Sequence, residues 1–568
     1  MAEQPTHGTA TRIVVVGGVA GGASAATRAR RTDASAVITL IEKGPAVSFA
    51  NCGLPYHVGG EIADRDDLLV ATPELFRDRF GIEVRTETEA IAIDRDSKSV
   101  TLRRPDGSRE RLPYDKLILA TGAEPIIPDF ARGDFSNAGT LWSLGDMDHL
   151  LESVAGRPGG RVAVIGGGFV GLEMAEQLIR RGHPCTLVER GGQVLFTLDP
   201  EMALPLQQEL LEKGVDLRLG VSVSRLVVDE ASAGGTGARG TGARVTGIEI
   251  DGEALPVDYV VLAIGVRPRT ELARAAGLEI GESGGVRVDD RMRTADPDIF
   301  AVGDCVEYPH AVLGRPTRVP LAGPANRAGR IAGTVAAGGE AAPMGPVCGT
   351  NVIRVFGKAA AGTGLSESQC RREGIACRSV FIQASNHASY FPGAESLLLK
   401  LIYAADGKIL GAQAVGGEGV DKRIDVIATA IHFGGTVYDL AGLDLAYAPP
   451  FGSAKDPVHM AAFVACNDLE SHPAVAAPDS ELGRLQVVDV RTAGELERLP
   501  LPDAIHLPID ELPRRLAELD PGRETVTVCY SGKRAHVAAC LLKNSGFRQV
   551  RNLTGGMLVR GQMGPCGD

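Results

Sequence analysis

The 568-residue chain lacks any excess of positive charge: 59 Lys and Arg stand against 71 Asp and Glu, a formal net charge of −12, with a pI near 5.5. No domain-wide cationic field can displace phosphate counterions, which excludes nucleic acid as a general partner, although a local basic cluster can still hold one anionic ligand. No apolar run approaches the length of a membrane span. Met1 to Arg12 also lack the apolar core and cleavage site of a secretory signal. The ten cysteines have no repeating spacing, which fits neither a disulfide framework nor a zinc site. The expectations are no membrane partner, no metal and a reducing, cytoplasmic setting. What the chain does have is length, 44% hydrophobic residues and 72 glycines. That is enough for about three to four domains with their own cores, rich in tight turns and close backbone approaches.

Two stretches read as strand, glycine turn and helix. In the first, Ile13 to Val16 precede Gly17-Gly18-Val19-Ala20-Gly21-Gly22 and an Ala-rich segment. Gly17 and Gly22 suit a backbone that approaches a pyrophosphate at a helix N-terminus, although Val19 replaces the middle glycine. Glu42 ends the next apolar strand, Val37 to Ile41, where a carboxylate receives ribose hydroxyls, with Lys43 beside it. In the second stretch, Val162 to Ile165 precede Gly166, Gly168 and Gly171, and Glu189 ends the following strand. Its charge favours the 2′-hydroxyl of NADH over the 2′-phosphate of NADPH, a preference that Arg190 softens. Two dinucleotide sites in one chain allow hydride to pass from a nicotinamide to a flavin. Ala120-Thr121-Gly122, Ala263-Ile264-Gly265 and Thr294 to Asp304 each follow or end a strand in a way suited to a cofactor edge. Gly303 and Asp304 close the last of these, with Asp304 a candidate acceptor for a ribityl hydroxyl.

Between the two units lies Ser48-Phe49-Ala50-Asn51-Cys52-Gly53-Leu54-Pro55-Tyr56. No second cysteine is near, because His57 stands where a C-x-x-x-x-C pattern would place it. A lone Cys52 can still cycle by forming a mixed disulfide or persulfide with a small sulfur compound, which a flavin then reduces. The competing reading is an inert buried thiol.

The order of first nucleotide unit, SFANCGLPY, ATG, second nucleotide unit and AVGD resembles the pyridine nucleotide-disulfide oxidoreductases, in the single-cysteine branch of coenzyme A-disulfide reductases, NADH oxidases and persulfide reductases. The resemblance covers about residues 10 to 465. It implies FAD at the first unit, NADH or NADPH at the second and Cys52 as the redox-active residue. It also implies that Leu321 and Ala322 begin a helix whose positive end faces the flavin. Tyr390 and Tyr447, in H-A-x-Y-x-P-G-A and A-Y-A-P-P-x segments, are implied to reach the active-site sulfur from the partner of a homodimer, the alternative being ordinary interface aromatics. Ser24, Arg28, Arg31, Ser48, Asn51, Lys422 and Arg423 are implied as a groove for coenzyme A phosphates, against the alternative of a solvated helix face.

Residues 229–244, rich in Gly, Ala, Ser and Thr, read as an enlarged hairpin loop, and Glu470 to Gly483 as a linker. The last ninety residues read as a separate α/β unit. In it Cys529-Tyr530-Ser531-Gly532-Lys533-Arg534 opens a helix and offers backbone N–H groups and Arg534 to an anionic or persulfide sulfur. This resembles a rhodanese domain, with the usual G-H-I-x-G-A altered to Leu501 to His506.

The expected fold class is α/β. It comprises two Rossmann-like dinucleotide-binding domains (FAD, 10–155 and 285–340; NAD(P)H, 156–284), an α+β dimerisation domain (345–466), a linker (467–483) and a C-terminal α/β rhodanese domain (484–568). The expected activity is FAD-dependent reduction of coenzyme A disulfide, coenzyme A persulfide or polysulfide by NAD(P)H through Cys52, with Cys529 carrying sulfane sulfur. An NADH oxidase whose Cys52 cycles through sulfenic acid, and a flavin-regulated sulfur carrier or redox sensor, are the alternatives.

Overall fold

The computed structural model describes residues 10–229 and 242–563, in two compact units: residues up to 192 together with 214–349, and 193–213 together with 350 onward. In the first unit the chain runs through β1 (Arg12–Val16), α1 (Ala20–Thr32), β2 (Val37–Ile41), α2 (Leu54–Gly59), β3 (Glu83–Arg85), β4 (Lys116–Leu119) and β5 (Ala138–Thr140). It continues through β6 (Val162–Ile165), α3 (Phe169–Arg180), β7 (Cys185–Glu189), β8 (Asp216–Leu219), β9 (Tyr259–Leu262), β10 (Ile299–Ala301) and α4 (Ala322–Ala336). Two five-stranded parallel sheets result, ordered β10-β4-β1-β2-β3 and β8-β7-β6-β9-β5.

The central strands are short β-branched runs buried along nearly their whole length, Val162–Ile165 entirely so. Such strands need cover on both faces, which is the setting of a parallel sheet. Helices α1 and α4 pack backbone to backbone: a Cβ added at Gly333 would lie 2.2 Å from the Ala25 carbonyl oxygen. Part of the glycine and alanine content therefore lets these two helices meet. The 229–244 loop falls mostly outside the described residues, and the strands Val223–Val228 and Val245–Ile250 on either side pair antiparallel.

In the second unit β11 (Asn351–Val355), β12 (Lys358–Gly364), β13 (Arg378–Ser385), β14 (Ser396–Tyr403) and β15 (Ile409–Gly416) form an antiparallel sheet, ordered β11-β12-β15-β14-β13. Helices α5 (Val420–His432) and α6 (Pro457–Leu469) follow. In strand β14 every residue after Ser396 is buried. Lys400, at its centre, is 1% exposed and satisfies its charge with Asp199 (2.8 Å), Glu201 (2.5 Å) and Glu367 (2.9 Å). Asp199 immediately precedes the helix Pro200–Glu212 and Glu201 lies in its first turn, so this ion cluster fixes that helix to the sheet.

The C-terminal part holds β16 (Ala474–Ala476), β17 (Gln486–Asp489), β18 (Ile505–His506), β19 (Thr525–Val528), α7 (Lys533–Asn544), β20 (Val550–Leu553) and α8 (Gly556–Arg560) in a parallel sheet ordered β16-β20-β19-β17-β18. The linker expected over 467–483 needs correction. Its Pro- and Ser-rich composition hides an edge strand, because Ala474–Ala476 pair with Arg551–Leu553.

Candidate active site

Both glycine loops of the first unit are built alike. Gly17 and Gly166 take φ of +102° and +112°, and an added Cβ would lie 2.1 Å from the Ala120 oxygen and 2.3 Å from the Ala263 oxygen. The ATG and AIG stretches therefore abut the two loops. Gly22 and Gly171 each sit where a Cβ would come within 1.8 Å of the carbonyl oxygen of the loop's first glycine. Gly168 faces open space. Glu42 accepts the N–H groups of Gly18 (2.8 Å) and Gly44 (2.8 Å), and Glu189 those of Gly167 (2.7 Å) and Gly191 (2.7 Å). Each carboxylate thus braces its loop at the edge where a ribose would lie. Lys43 turns outward to Glu89 (2.8 Å).

Cys52 is free and exposed. It lies in the 3₁₀ turn Asn51–Gly53 that runs into α2, with its N–H donated to Asn51 Oδ1 (3.1 Å). Ser48 takes a left-handed backbone conformation (φ 52°), and its N–H donates to the Gly18 oxygen (2.8 Å). The cysteine segment is thereby hooked to the first glycine loop. His57, in the place a second cysteine would take, bonds through Nδ1 to the Ile62 oxygen (2.8 Å). Although Cys52 reaches solvent, the protein packed around its sulfur pushes the thiol up by desolvation, and the carboxylates of Glu173 and Asp304 push it further. One of those groups stands on α3 after the second glycine loop, and the other on the turn after β10. The cysteine therefore lies between the two nucleotide units.

Glu173 was missed in the sequence. It accepts the Tyr56 hydroxyl (3.0 Å), and nothing local to either residue signals a contact spanning 117 positions. Asp304 is pushed up to about 6 by burial, and among the described residues no protein donor engages its carboxylate. Gly303 is fixed by the Tyr308 hydroxyl. Thr121 donates to the Arg269 oxygen (2.7 Å), and Gly122 takes φ +67°. Leu321 and Ala322 do begin a helix, α4, and no side chain caps it.

The groove residues are divided. Ser24 and Arg28 reach across to α4, bonding Asn326 (2.5 Å) and Thr334 (2.8 Å), while Arg31 lies over the Phe80 ring at 5.4 Å. Lys422 is half-buried on α5. Arg423 requires correction: it is 2% exposed and committed to Asp456 (2.9 Å) and the Asn386 oxygen (2.6 Å), so its charge serves packing and is closed to a phosphate. Tyr390 and Tyr447 are brought together, with hydroxyls 3.1 Å apart, and both are exposed.

In the C-terminal domain Cys529 is buried, and its Sγ accepts the Gly532 N–H (3.1 Å). Arg534, which follows at the start of α7, is near enough for its charge to interact with the same sulfur. Glu495, also missed in the sequence, holds Arg534 with two bonds (2.8 and 2.5 Å). That guanidinium holds the Glu495 carboxyl down at about 2.

The pyridine nucleotide-disulphide oxidoreductase model matches residues 11–329, its dimerisation domain 353–457 and the rhodanese-like domain 474–559. The chain belongs to the pyridine nucleotide-disulphide oxidoreductase family. An NADH oxidase of Methanocaldococcus jannaschii is 33% identical over 461 residues, covering 81% of this chain and 100% of that one. A coenzyme A disulfide reductase of Staphylococcus aureus is 33% identical over 456 residues, covering 80% and 99%. Two solved structures extend the likeness through the C-terminal domain. The reduced Bacillus anthracis CoADR-RHD has a TM-score of 0.91 at 38% identity over 97% of this chain and 98% of that one. The NAD-dependent persulfide reductase from A. fulgidus has 0.87 at 38% over 96% and 99%. No helix among the described residues is long and apolar enough to cross a membrane.

This oxidoreductase family implies FAD and a nicotinamide nucleotide, and the residues present fit both. Gly17, Gly22, Gly166 and Gly171 leave no room for side chains, the N-termini of α1, α3 and α4 carry no side-chain cap, and among the described residues Asp304 is an acceptor without a protein donor. Open helix N-termini and unpaired acceptors are what a phosphate-bearing, hydroxyl-rich cofactor satisfies.

Proposed function

We propose that this oxidoreductase reduces the S–S bond of coenzyme A disulfide or coenzyme A persulfide with NADH through Cys52. The observation that carries the reading is the exposed lone thiol in a segment tied to the first glycine loop through Ser48 and Gly18 and to α3 of the second nucleotide unit through Tyr56 and Glu173. Gly17, Gly22, Glu42, Thr121, Gly303, Asp304, Leu321 and Ala322 would hold FAD, and Gly166, Gly168, Gly171 and Glu189 the nicotinamide nucleotide. Glu189 favours NADH. Together the two cofactors supply the electron pair. Cys52 thiolate attacks the substrate S–S bond, forms a new S–S bond to one sulfur and expels the other as a thiolate; two electrons and a proton then return the cysteine and release the second thiol. Tyr390 and Tyr447 of the partner subunit in a homodimer would donate hydrogen bonds to the leaving sulfur. Cys529 would carry sulfane sulfur as a persulfide, with Arg534 and the Gly532 N–H stabilising the anion.

Product counts per NADH test the reading. Coenzyme A disulfide should yield two thiols, and coenzyme A persulfide one thiol and one sulfide, over many turnovers. A carrier or sensor would stop after one equivalent. The likeness to an NADH oxidase sustains a second reading, in which oxygen consumption replaces thiol release.

A further inference from the structure

Strand β13 is the edge of its sheet, paired among the described residues only with β14, so its outward backbone groups need partners from elsewhere. Thr554, directly after β20 and 1% exposed, supplies them at Phe381. Its hydroxyl accepts the Phe381 N–H (2.8 Å) and donates to the Phe381 oxygen (3.4 Å). A second tie lies nearby. Asp468 accepts Val475 N–H of β16 (2.8 Å) while holding Arg378 (2.9 Å) and Tyr403 (2.9 Å) of the same sheet. The rhodanese-like domain is thus bound to this sheet edge through hydrogen bonds, of which the Thr554–Phe381 pair is buried on both sides.

The turn that Thr554 anchors also supports the Cys529 loop. Gly555 and Gly556 take φ of +69° and +57°; a Cβ on Gly555 would meet Phe381 Cβ at 3.1 Å, and one on Gly556 the Cys529 oxygen at 2.3 Å. Met557 N–H then donates to the Cys529 oxygen (2.9 Å) and Leu558 N–H to the Tyr530 oxygen (2.8 Å). Both loop carbonyls are therefore committed to the Thr554–Leu558 turn, while the Gly532 N–H is aimed at the sulfur. Peptide orientation decides whether such a loop attracts or repels an anionic sulfur, because the same loop turned over would present oxygen atoms.

We propose that Thr554 is a positioning residue for sulfur transfer at Cys529, clamping the turn between the edge strand and the cysteine loop so that N–H groups, and not carbonyls, face the persulfide. The inference rests on Cys529 being the sulfur carrier. In the step concerned, Cys529 thiolate attacks the outer sulfur of a sulfane donor such as thiosulfate; a Cys529 S–S bond forms, the donor's S–S bond breaks, and sulfite leaves with the electron pair.

The full-length protein with thiosulfate as donor and cyanide as acceptor tests it. Thr554→Val keeps the shape and removes both hydrogen bonds, and should lower kcat on the order of tenfold with KM for thiosulfate unchanged. Thr554→Ser should restore wild-type kcat, and NADH-dependent turnover at Cys52 should be unaffected in both. If Thr554→Val does not fold, Thr554→Ala gives the same comparison. An active wild type with an unchanged Val variant, a loss confined to KM, or a Ser variant as impaired as Val overturns the role of Thr554. A wild type that transfers no sulfur overturns the Cys529 reading and this inference with it.

Discussion

Glu173 acts on Cys52 through charge. Burial raises the thiol, and the Glu173 carboxylate raises it further by disfavouring a second negative charge nearby. Since a thiolate is the attacking form, a pKa above the ordinary thiol value of about 8.5 slows reaction at neutral pH. Glu173→Gln removes the larger of the two carboxylate contributions. In flavin-free protein the pH midpoint of Cys52 alkylation by iodoacetamide should therefore move down, and an unchanged midpoint would show that the carboxylate does not face the sulfur. Residues of this kind are hidden in a sequence. The cysteine and its SFANCGLPY segment stand out by composition, whereas a glutamate on an amphipathic helix reads as any solvated charge until a contact 117 residues away is seen. Glu495 and Thr554 were hidden for the same reason. Arg423 failed in the opposite sense, because a cation on a helix reads as exposed when its buried partner, Asp456, lies 33 positions on.

At the scale of elements, strand–glycine–helix units were legible because all their chemistry is local: three features within about thirty residues declare the turn, the helix N-terminus and the ribose acid. The full burial of strand β14 was not legible across its one charged residue. Lys400 looks like a solvent-facing charge, and only the packing of the helix Pro200–Glu212, with Asp199 and Glu201 at its start, and of the helix Glu367–Arg372 brings it three carboxylates. Burial alone would raise the Asp199 and Glu367 carboxyls, but the Lys400 ammonium overrides it and both end below their ordinary values. Depressed carboxyls contribute stability that is present above their unfolded values, about 4, and is lost as pH falls through the folded ones. Lys400→Met leaves these charges uncompensated and should cost about 3–5 kcal/mol at pH 7 by urea unfolding. Its carboxyls then rise instead, so the variant should gain stability as pH is lowered from 7 toward 5. A variant as stable as wild type at pH 7 would contradict the cluster's role.

The whole molecule joins two nucleotide units, a dimerisation sheet and a rhodanese-like domain in one chain, and two solved structures share that full arrangement. The order of these parts was legible because each announces itself locally. The seam at 467–483 was not, because three short residues, Ala474 to Ala476, become a strand only when β20 is alongside. A rhodanese-like domain in one chain with a lone-thiol reductase makes chemical sense if both handle S–S bonds, whereas an oxygen-reducing enzyme has no evident use for it. The account's central claim is that Cys52 is the outlet for electrons to sulfur. The most direct measurement is anaerobic NADH oxidation by wild type and Cys52→Ser, with coenzyme A disulfide and coenzyme A persulfide supplied separately. Multiple turnovers in wild type with at least one substrate, lost in the variant, are the predicted result; turnover that persists without Cys52, or that appears only when oxygen is admitted, would contradict it.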